Sequence, residues 1–294
     1  MGETKPDQTS EVVLPAEPSR AAVVLRSVGT VIAGAAKGAA HGAATAWRAI
    51  DPDLRRQAAE LPLVGLTMIA ARRPKPEPLP DDGHRPVVFV HGLGGHRGNF
   101  LPARLFFRLR GRTRTYSAGF APGADLEALG AELRRFIDEV FRVNALPAGT
   151  QIDLVAHSMG GIVGRIALED SVTRARVATF ATLATPHAGT HVARYAATHA
   201  TLALRPGSPL LTRLSTQVPW LAPPRLVCFW SRSDPVMLPA ETACVTGAEC
   251  VELEGLTHYG YLLQPSCFRR LYAALPAGDS QRLRRASATD PEPG

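Results

Sequence analysis

Short, almost wholly apolar runs alternate with longer stretches in which apolar residues return every three or four positions. This alternation fills the chain from about residue 85 to residue 275. Val87–Val90, Ile152–Val155, Val177–Leu183 and Leu226–Trp230 are the runs, rich in β-branched and aromatic residues and of strand length, and Glu249–Leu253 is expected as another strand. Runs apolar at successive positions fit strands buried on both faces. Between the first two, Leu126, Leu129, Leu133, Phe136, Ile137 and Val140 fall on one face of an amphipathic helix. The sequence therefore predicts an α/β fold, a mostly parallel central sheet with helices on both faces.

The pattern upstream is different. Residues 1–20 are polar and rich in Glu, Pro and Ser, which predicts disorder; no basic start leads promptly into an apolar stretch, so no standard signal peptide is visible. Residues 21–50 read as helix, with Gly34, Gly38 and Gly42 on one face. Arg26, Lys37 and His41 interrupt that segment, which favours packing on the protein body or a membrane surface over spanning. Asp51-Pro52 resembles an N-cap with proline at the first helical position, opening a short helix toward Leu61. An apolar stretch, Leu61–Ala71, covers only about half a bilayer. Prolines 74, 76, 78 and 80 then form a semi-rigid linker. The expected organisation is a disordered N-terminus (1–20), a helical extension and Pro-rich linker (21–80) that packs on the protein body or meets a membrane surface through residues 21–75, an α/β domain (81–276), and a disordered tail (277–294). A cytoplasmic or peripherally membrane-associated location follows from that reading. Within the domain, residues 186–224 are too long for an ordinary loop and form a lid or cap candidate. Its Leu202, Leu204, Leu210, Leu211, Leu214, Trp220 and Leu221 either line an acyl site or cover the core.

At 294 residues and 45% hydrophobic, the chain can bury one sizeable core. A formal charge of +7 comes largely from scattered arginines and does not imply nucleic acid binding. Arg104, Arg108, Arg110, Arg112 and Arg114 cluster, with a solvated helix face as the expectation and an anionic membrane surface as the alternative. Four cysteines fit neither a disulfide scaffold nor a zinc spacing. Cys228 reads as buried, Cys244 and Cys250 are close enough to close a small loop in an oxidising compartment, and Cys267 has no evident partner.

The chemistry concentrates at strand ends. Gln151–Gly161 reads as a strand delivering Ser158 into a tight turn that opens a helix, with Ala156, Gly160 and Gly161 keeping the turn narrow. Such an elbow exposes a hydroxyl that is otherwise a poor nucleophile. Alanine stands where the strict GxSxG pattern has its first glycine. The acid and base are expected on loops after later strands: Asp234, in Trp-Ser-Arg-Ser-Asp-Pro, and His258, in Leu-Thr-His-Tyr-Gly-Tyr. Among the other histidines, His157 should point away from the elbow, His187 follows a strand but lacks the expected order, and His191 and His199 lie in the lid candidate. The loop His91-Gly-Leu-Gly-Gly95 lets a backbone amide approach the substrate, so the N–H groups of Leu93 and Met159 are the expected oxyanion pair. It is not a phosphate loop, having neither GxGxxG nor the P-loop lysine.

Val-Phe-Val-His-Gly-Leu-Gly-Gly, Ala-His-Ser-Met-Gly-Gly, Ala-Thr-Pro-His-Ala-Gly-Thr, Ser-Arg-Ser-Asp and Thr-His-Tyr-Gly-Tyr together resemble the bacterial triacylglycerol lipase/esterase branch of the α/β-hydrolases, over about residues 85 to 275. The resemblance implies a carboxylic ester hydrolase that uses Ser158, Asp234 and His258 on a lipid or acyl ester without a cofactor. Some relatives bind a structural calcium, but no carboxylate cluster here marks such a site. A thioesterase or acyltransferase on the same triad is the alternative. A membrane-associated scaffold with a decayed site is the rival from another class, and the intact serine, histidine and glycine loops speak against it.

Overall fold

Six strands, β1 (Val87–Val90), β2 (Thr115–Ser117), β3 (Ile152–His157), β4 (Val177–Leu183), β5 (Arg225–Trp230) and β6 (Glu249–Glu252), form one parallel sheet in the order β2-β1-β3-β4-β5-β6. These are features of a computed structural model, which describes residues 50–69, 75–120, 123–216 and 224–276. The chain divides into two units, Met1–Asp51 and Pro52–Gly294, and the sheet belongs to the second. That unit opens well upstream of residue 81, where the proline run suggested a boundary. The glycine-striped segment 21–49, the Arg72-Arg73 pair, Trp220, Leu221 and the tail from 277 lie outside the described residues. Among the described residues no helix is long and apolar enough to cross a membrane.

Strands β1, β3, β4 and β5 are largely apolar at successive positions because both faces of the sheet are covered there, whereas the edge strand β6 carries Glu249 and Glu252 and is mostly exposed. Val88, Val90, Leu154, Ala156 and Phe180 pack with helices Leu126–Val143 and Met159–Ala167. Their neighbours Val87, Phe89, Val155, Ala181 and Val227 pack with helices Leu101–Arg108 and Pro265–Ala274. Each such large side chain, fully buried, contributes about 1.5–3 kcal/mol. Helix Met159–Ala167 lies close on β4 through Gly164, where a Cβ would stand 2.6 Å from Phe180 Cζ. β2 escapes the hydrophobic pattern: it is a three-residue edge strand of Thr, Tyr and Ser, recruited by parallel pairing with β1.

The arginine cluster divides: Arg108 and Arg110 are exposed, Arg104 is half-buried, and Arg112 and Arg114 are buried. Arg112 is buried against Asp153 at the N-terminal end of the sheet, and Arg85 Nε lies 3.2 Å from the same carboxylate. Arg104 donates to Thr115, Arg114 pairs with Asp81 at 2.9 Å, and Arg110 stacks on Phe106. Cys244 and Cys250 form a disulfide, while Cys228 and Cys267 are free and buried.

A single helix, Pro52–Ile69, replaces the short helix and separate apolar stretch expected on either side of Leu61, and it runs through Pro62. Proline inside a helix removes one hydrogen bond and costs about 3 kcal/mol. Contacts made by residues on both sides of it, Arg56 with Gly255 and Thr67 with Asn99, accompany the continuity.

Candidate active site

β3 ends at His157 and helix Met159–Ala167 begins two residues later, so Ser158 occupies the turn alone. Its φ of 54° and ψ of −130° lie where non-glycine residues are strained, at a cost of about 1–3 kcal/mol. The surroundings impose that conformation: Ser158 N–H donates to Leu183 O at 2.8 Å, and Gly161 N–H donates to Ser158 O at 3.0 Å. The small residues expected here have separate uses. A Cβ on Gly160 would stand 2.5 Å from His91 O and 2.6 Å from Val90 O, inside the backbone of β1 and its loop. Ala156, by contrast, sits fully buried between Val90 and Thr182 on the adjacent strands, and its methyl is part of the core.

The structure brings Ser158, His258 and Asp234 together. His258 Nε2 lies 2.9 Å from Ser158 Oγ, and His258 Nδ1 lies 2.9 Å from Asp234 Oδ2. A carboxylate only accepts, so Nδ1 carries the proton and Nε2 is free to accept from the serine hydroxyl. The second carboxylate oxygen, Oδ1, accepts from Val236 N–H at 2.8 Å and Met237 N–H at 3.1 Å. Asp234, fully buried, is thereby held by backbone donors on one side and imidazole on the other.

The loop after β1 closes on the same point. Gly95 N–H donates to Gly92 O at 3.0 Å, Gly94 adopts φ 64°, and a Cβ on Gly92 would fall 2.8 Å from Ser158 Cβ. Leu93 stands half-exposed at the rim, and Met159 begins the helix. An N–H in the first helical turn has no carbonyl partner within its own helix.

Five other histidines, His157, His187, His91, His191 and His199, take other places. His157 is engaged with the backbone of His258, its Nε2 2.8 Å from His258 O and its ring centroid 4.7 Å from that of His258. Burial, with a smaller contribution from His258, holds its pKa well below the usual histidine range. It is therefore neutral and can donate from Nε2 to that carbonyl. His187 is engaged elsewhere, with Thr182 Oγ1 at 3.1 Å, and burial depresses its pKa strongly as well. Burial also lowers the pKa of His91, whose Nδ1 lies 3.0 Å from Gly92 O. His191 starts a 3-10 turn and His199 is exposed on a short helix.

Ser158 and His258 open into a cleft of about 550 Å³. One wall comes from the segment after β4, through Pro186, Val192, Ala193, Tyr195 and Leu204. Of the leucines expected to line an acyl site there, Leu204 reaches the cleft, whereas Leu211 and Leu214 are buried in the core. The opposite wall was not foreseen: Leu61, Val64, Gly65 and Met68 of helix Pro52–Ile69. That helix also touches the loop bearing His258, with Gln57 Oε1 accepting from His258 N–H at 3.2 Å. A signal was present, since Leu61, Val64 and Met68 keep helical spacing across Pro62. Among the described residues no group of three His, Cys, Asp or Glu side chains is placed to hold a metal ion.

Comparison with known proteins agrees with this architecture. A model of the alpha/beta hydrolase family matches residues 87–267. Among solved structures, the Bacillus licheniformis lipase BlEst2 in its mature form superposes with a TM-score of 0.56 at 18% identity, covering 69% of this chain and 96% of that one. Aspergillus fumigatus lipase B gives 0.55 at 17% identity over 69% of this chain, which spans 55% of the fungal protein. The phospholipase PlaB from Legionella pneumophila gives 0.50 at 15% identity, covering 68% of this chain and 62% of that one. At these identities the likeness is one of fold.

Proposed function

The chain belongs to the alpha/beta hydrolase family, and from that premise we propose that it is a serine carboxylic ester hydrolase, cleaving acyl or lipid-like esters through an acyl-enzyme on Ser158. The observation that carries the reading is the continuous hydrogen-bonded chain from Ser158 Oγ through His258 to Asp234, at 2.9 Å on each side of the imidazole.

In this mechanism Ser158 Oγ attacks the ester carbonyl carbon while its proton passes to His258 Nε2. Asp234 fixes the reactive tautomer and stabilises the imidazolium. The oxyanion forms toward the N–H groups of Leu93 and Met159, the second of which adds the positive end of a helix dipole. Collapse of the tetrahedral intermediate breaks the ester C–O bond, and the leaving alkoxide takes the proton from His258. Water, deprotonated by the same imidazole, then cleaves the acyl-enzyme to release the carboxylic acid and restore Ser158. Apolar side chains along the cleft, with Leu61, Met68, Val192 and Leu262 among them, favour an acyl chain over a polar one. Pro186, Val192, Ala193 and Leu204 form part of that wall, and the segment that begins with them is, in this reading, the cap over the acyl group.

Hydrolysis of a panel of p-nitrophenyl esters tests the reading. Ser158→Ala is expected to lower kcat/KM at least about a thousandfold, and Asp234→Asn by about a thousand- to ten-thousandfold through the wrong tautomer. Wild-type turnover that survives Ser158→Ala would refute the nucleophile. Products divide the reading from its alternative, because transfer to an added alcohol in preference to water would make the enzyme an acyltransferase.

A further inference from the structure

We propose that helix Pro52–Ile69, which lies upstream of the segment matching the family, is a working part of the active site, and that Gln57 and Glu60 are positioning residues for His258. His258 sits on the connection between β6 and helix Gly260–Leu263, with no regular secondary structure of its own to hold it. It must nevertheless keep two hydrogen bonds in line at once. Helix Pro52–Ile69 grips this connection at successive points. Arg56 Nη1 donates to Gly255 O at 2.6 Å, and Gln57 Oε1 accepts from His258 N–H at 3.2 Å. Glu60 accepts from the hydroxyl of Thr257, a residue with no exposed surface. That hydroxyl in turn accepts from Gly260 N–H at 3.2 Å, so Glu60 anchors the turn on both sides of His258. A hydroxyl donating to a carboxylate makes one of the stronger hydrogen bonds available to a side chain.

The peptide of His258 is thereby held from opposite directions. Its N–H is taken by Gln57 on the helix, and its C=O faces His157 Nε2 from the nucleophile elbow at 2.8 Å. Further ties are Leu253 N–H to Trp230 O at 2.7 Å, Leu256 N–H to Ser231 Oγ at 3.2 Å and the imidazole's own bond to Asp234 at 2.9 Å, none of which holds the backbone of Thr257 or His258. Loss of Gln57 or of Glu60 leaves the imidazole free to drift relative to Ser158, and a misplacement of about 1 Å can cost about a hundredfold in rate. The same helix walls the cleft through Leu61, Val64, Gly65 and Met68, so its seating on the loop also sets the shape of the substrate site.

The kinetic consequence rests on the ester-hydrolase reading; the structural consequence does not. In the full chain, Gln57→Leu and Glu60→Leu remove the acceptors, and Glu60→Gln keeps an acceptor oxygen for Thr257. With p-nitrophenyl butyrate, the two leucine variants are expected to lose about ten- to a hundredfold in kcat, with KM moving less than about threefold. Glu60→Gln is expected to recover most of the loss. Hydrogen–deuterium exchange of the peptide covering residues 253–260 should quicken in both leucine variants and stay slow in Glu60→Gln. Wild-type kcat together with wild-type exchange in both leucine variants would overturn the proposal. So would a loss that falls on KM alone, which marks a wall and not a positioner. If wild-type Ser158 resists labelling by a fluorophosphonate, the hydrolase reading fails, and the exchange measurement alone decides whether the helix holds the His258 loop.

Discussion

At the scale of single residues, the site depends on backbone that has no room to spare. Ser158 is held at positive φ by two main-chain hydrogen bonds, and Gly92 comes so near that a methyl there would lie 2.8 Å from Ser158 Cβ and 3.1 Å from His157 O. Real side chains do not approach so closely, so Gly92→Ala must push the loop or the serine aside. We expect Gly92→Ala to remain folded and to lose about a hundred- to a thousandfold in kcat on p-nitrophenyl esters, the range for a misplaced oxyanion donor. Circular dichroism beside the kinetics checks both halves, and a variant with wild-type kcat would show that the loop can yield. Ser158, Asp234 and His258 were legible as candidates because each follows a strand-like run. The use of His157 was not legible: the expectation that it points away from the elbow says nothing of its partner, the carbonyl of a residue 101 positions away.

At the scale of elements, the strands were read well and the helix over the cleft was not. Runs such as Val177–Leu183 are apolar at successive positions because the sheet is covered on both faces, and that pattern survives in one dimension. Thr115–Ser117 carries no such pattern, since its strand identity comes from the edge of β1. Prolines 74, 76, 78 and 80 suggested an extension ending in a linker, yet helix Pro52–Ile69 upstream of them continues through Pro62 and contributes one wall of the cleft. Gly65 lies on that wall, and a Cβ there would meet nothing within 4 Å. Gly65→Leu is therefore expected to fill acyl space without displacing the protein. The ratio of kcat/KM for p-nitrophenyl octanoate to that for the acetate should fall by about tenfold or more, one or two lost methylene sites being worth about 1–3 kcal/mol each. An unchanged ratio would place the acyl group elsewhere in the cleft.

At the scale of the whole molecule, burial of histidine couples stability to pH. His157 and His187 are both held well below the ordinary histidine pKa by burial, the first also facing His258 and His91 and the second Arg165. The unfolded chain binds these protons near pH 6.5 while the folded chain does not. Their contribution is thus complete above about pH 6.5 and is lost as pH falls, at up to about 1.4 kcal/mol per pH unit for each residue. Asp82 and Asp170, whose pKa values are lowered, act in a separate window near pH 4 and below. For Asp82 the lowering comes from several hydrogen bonds that together outweigh burial, and for Asp170 mainly from the Thr173 backbone N–H. The urea midpoint should be lower at pH 5 than at pH 7.5, and His187→Gln should shrink that difference. Equal midpoints for wild type would contradict the neutral assignment.

By itself the sequence determined the α/β class, the strands that carry the site and the residues at their ends, because a strand buried on two faces and a serine between small neighbours leave local signatures. It left open which polar residues meet across the fold. Arg112 reads as one member of a basic cluster, yet its partner Asp153 lies 41 positions on; Gln57 reads as part of an extension, yet it bonds to His258, 201 positions on. Hydrogen bonds and ion pairs act over a few ångströms in space and have no period along the chain, so only the closed tertiary structure could choose these partners and turn an upstream helix into a wall of the site.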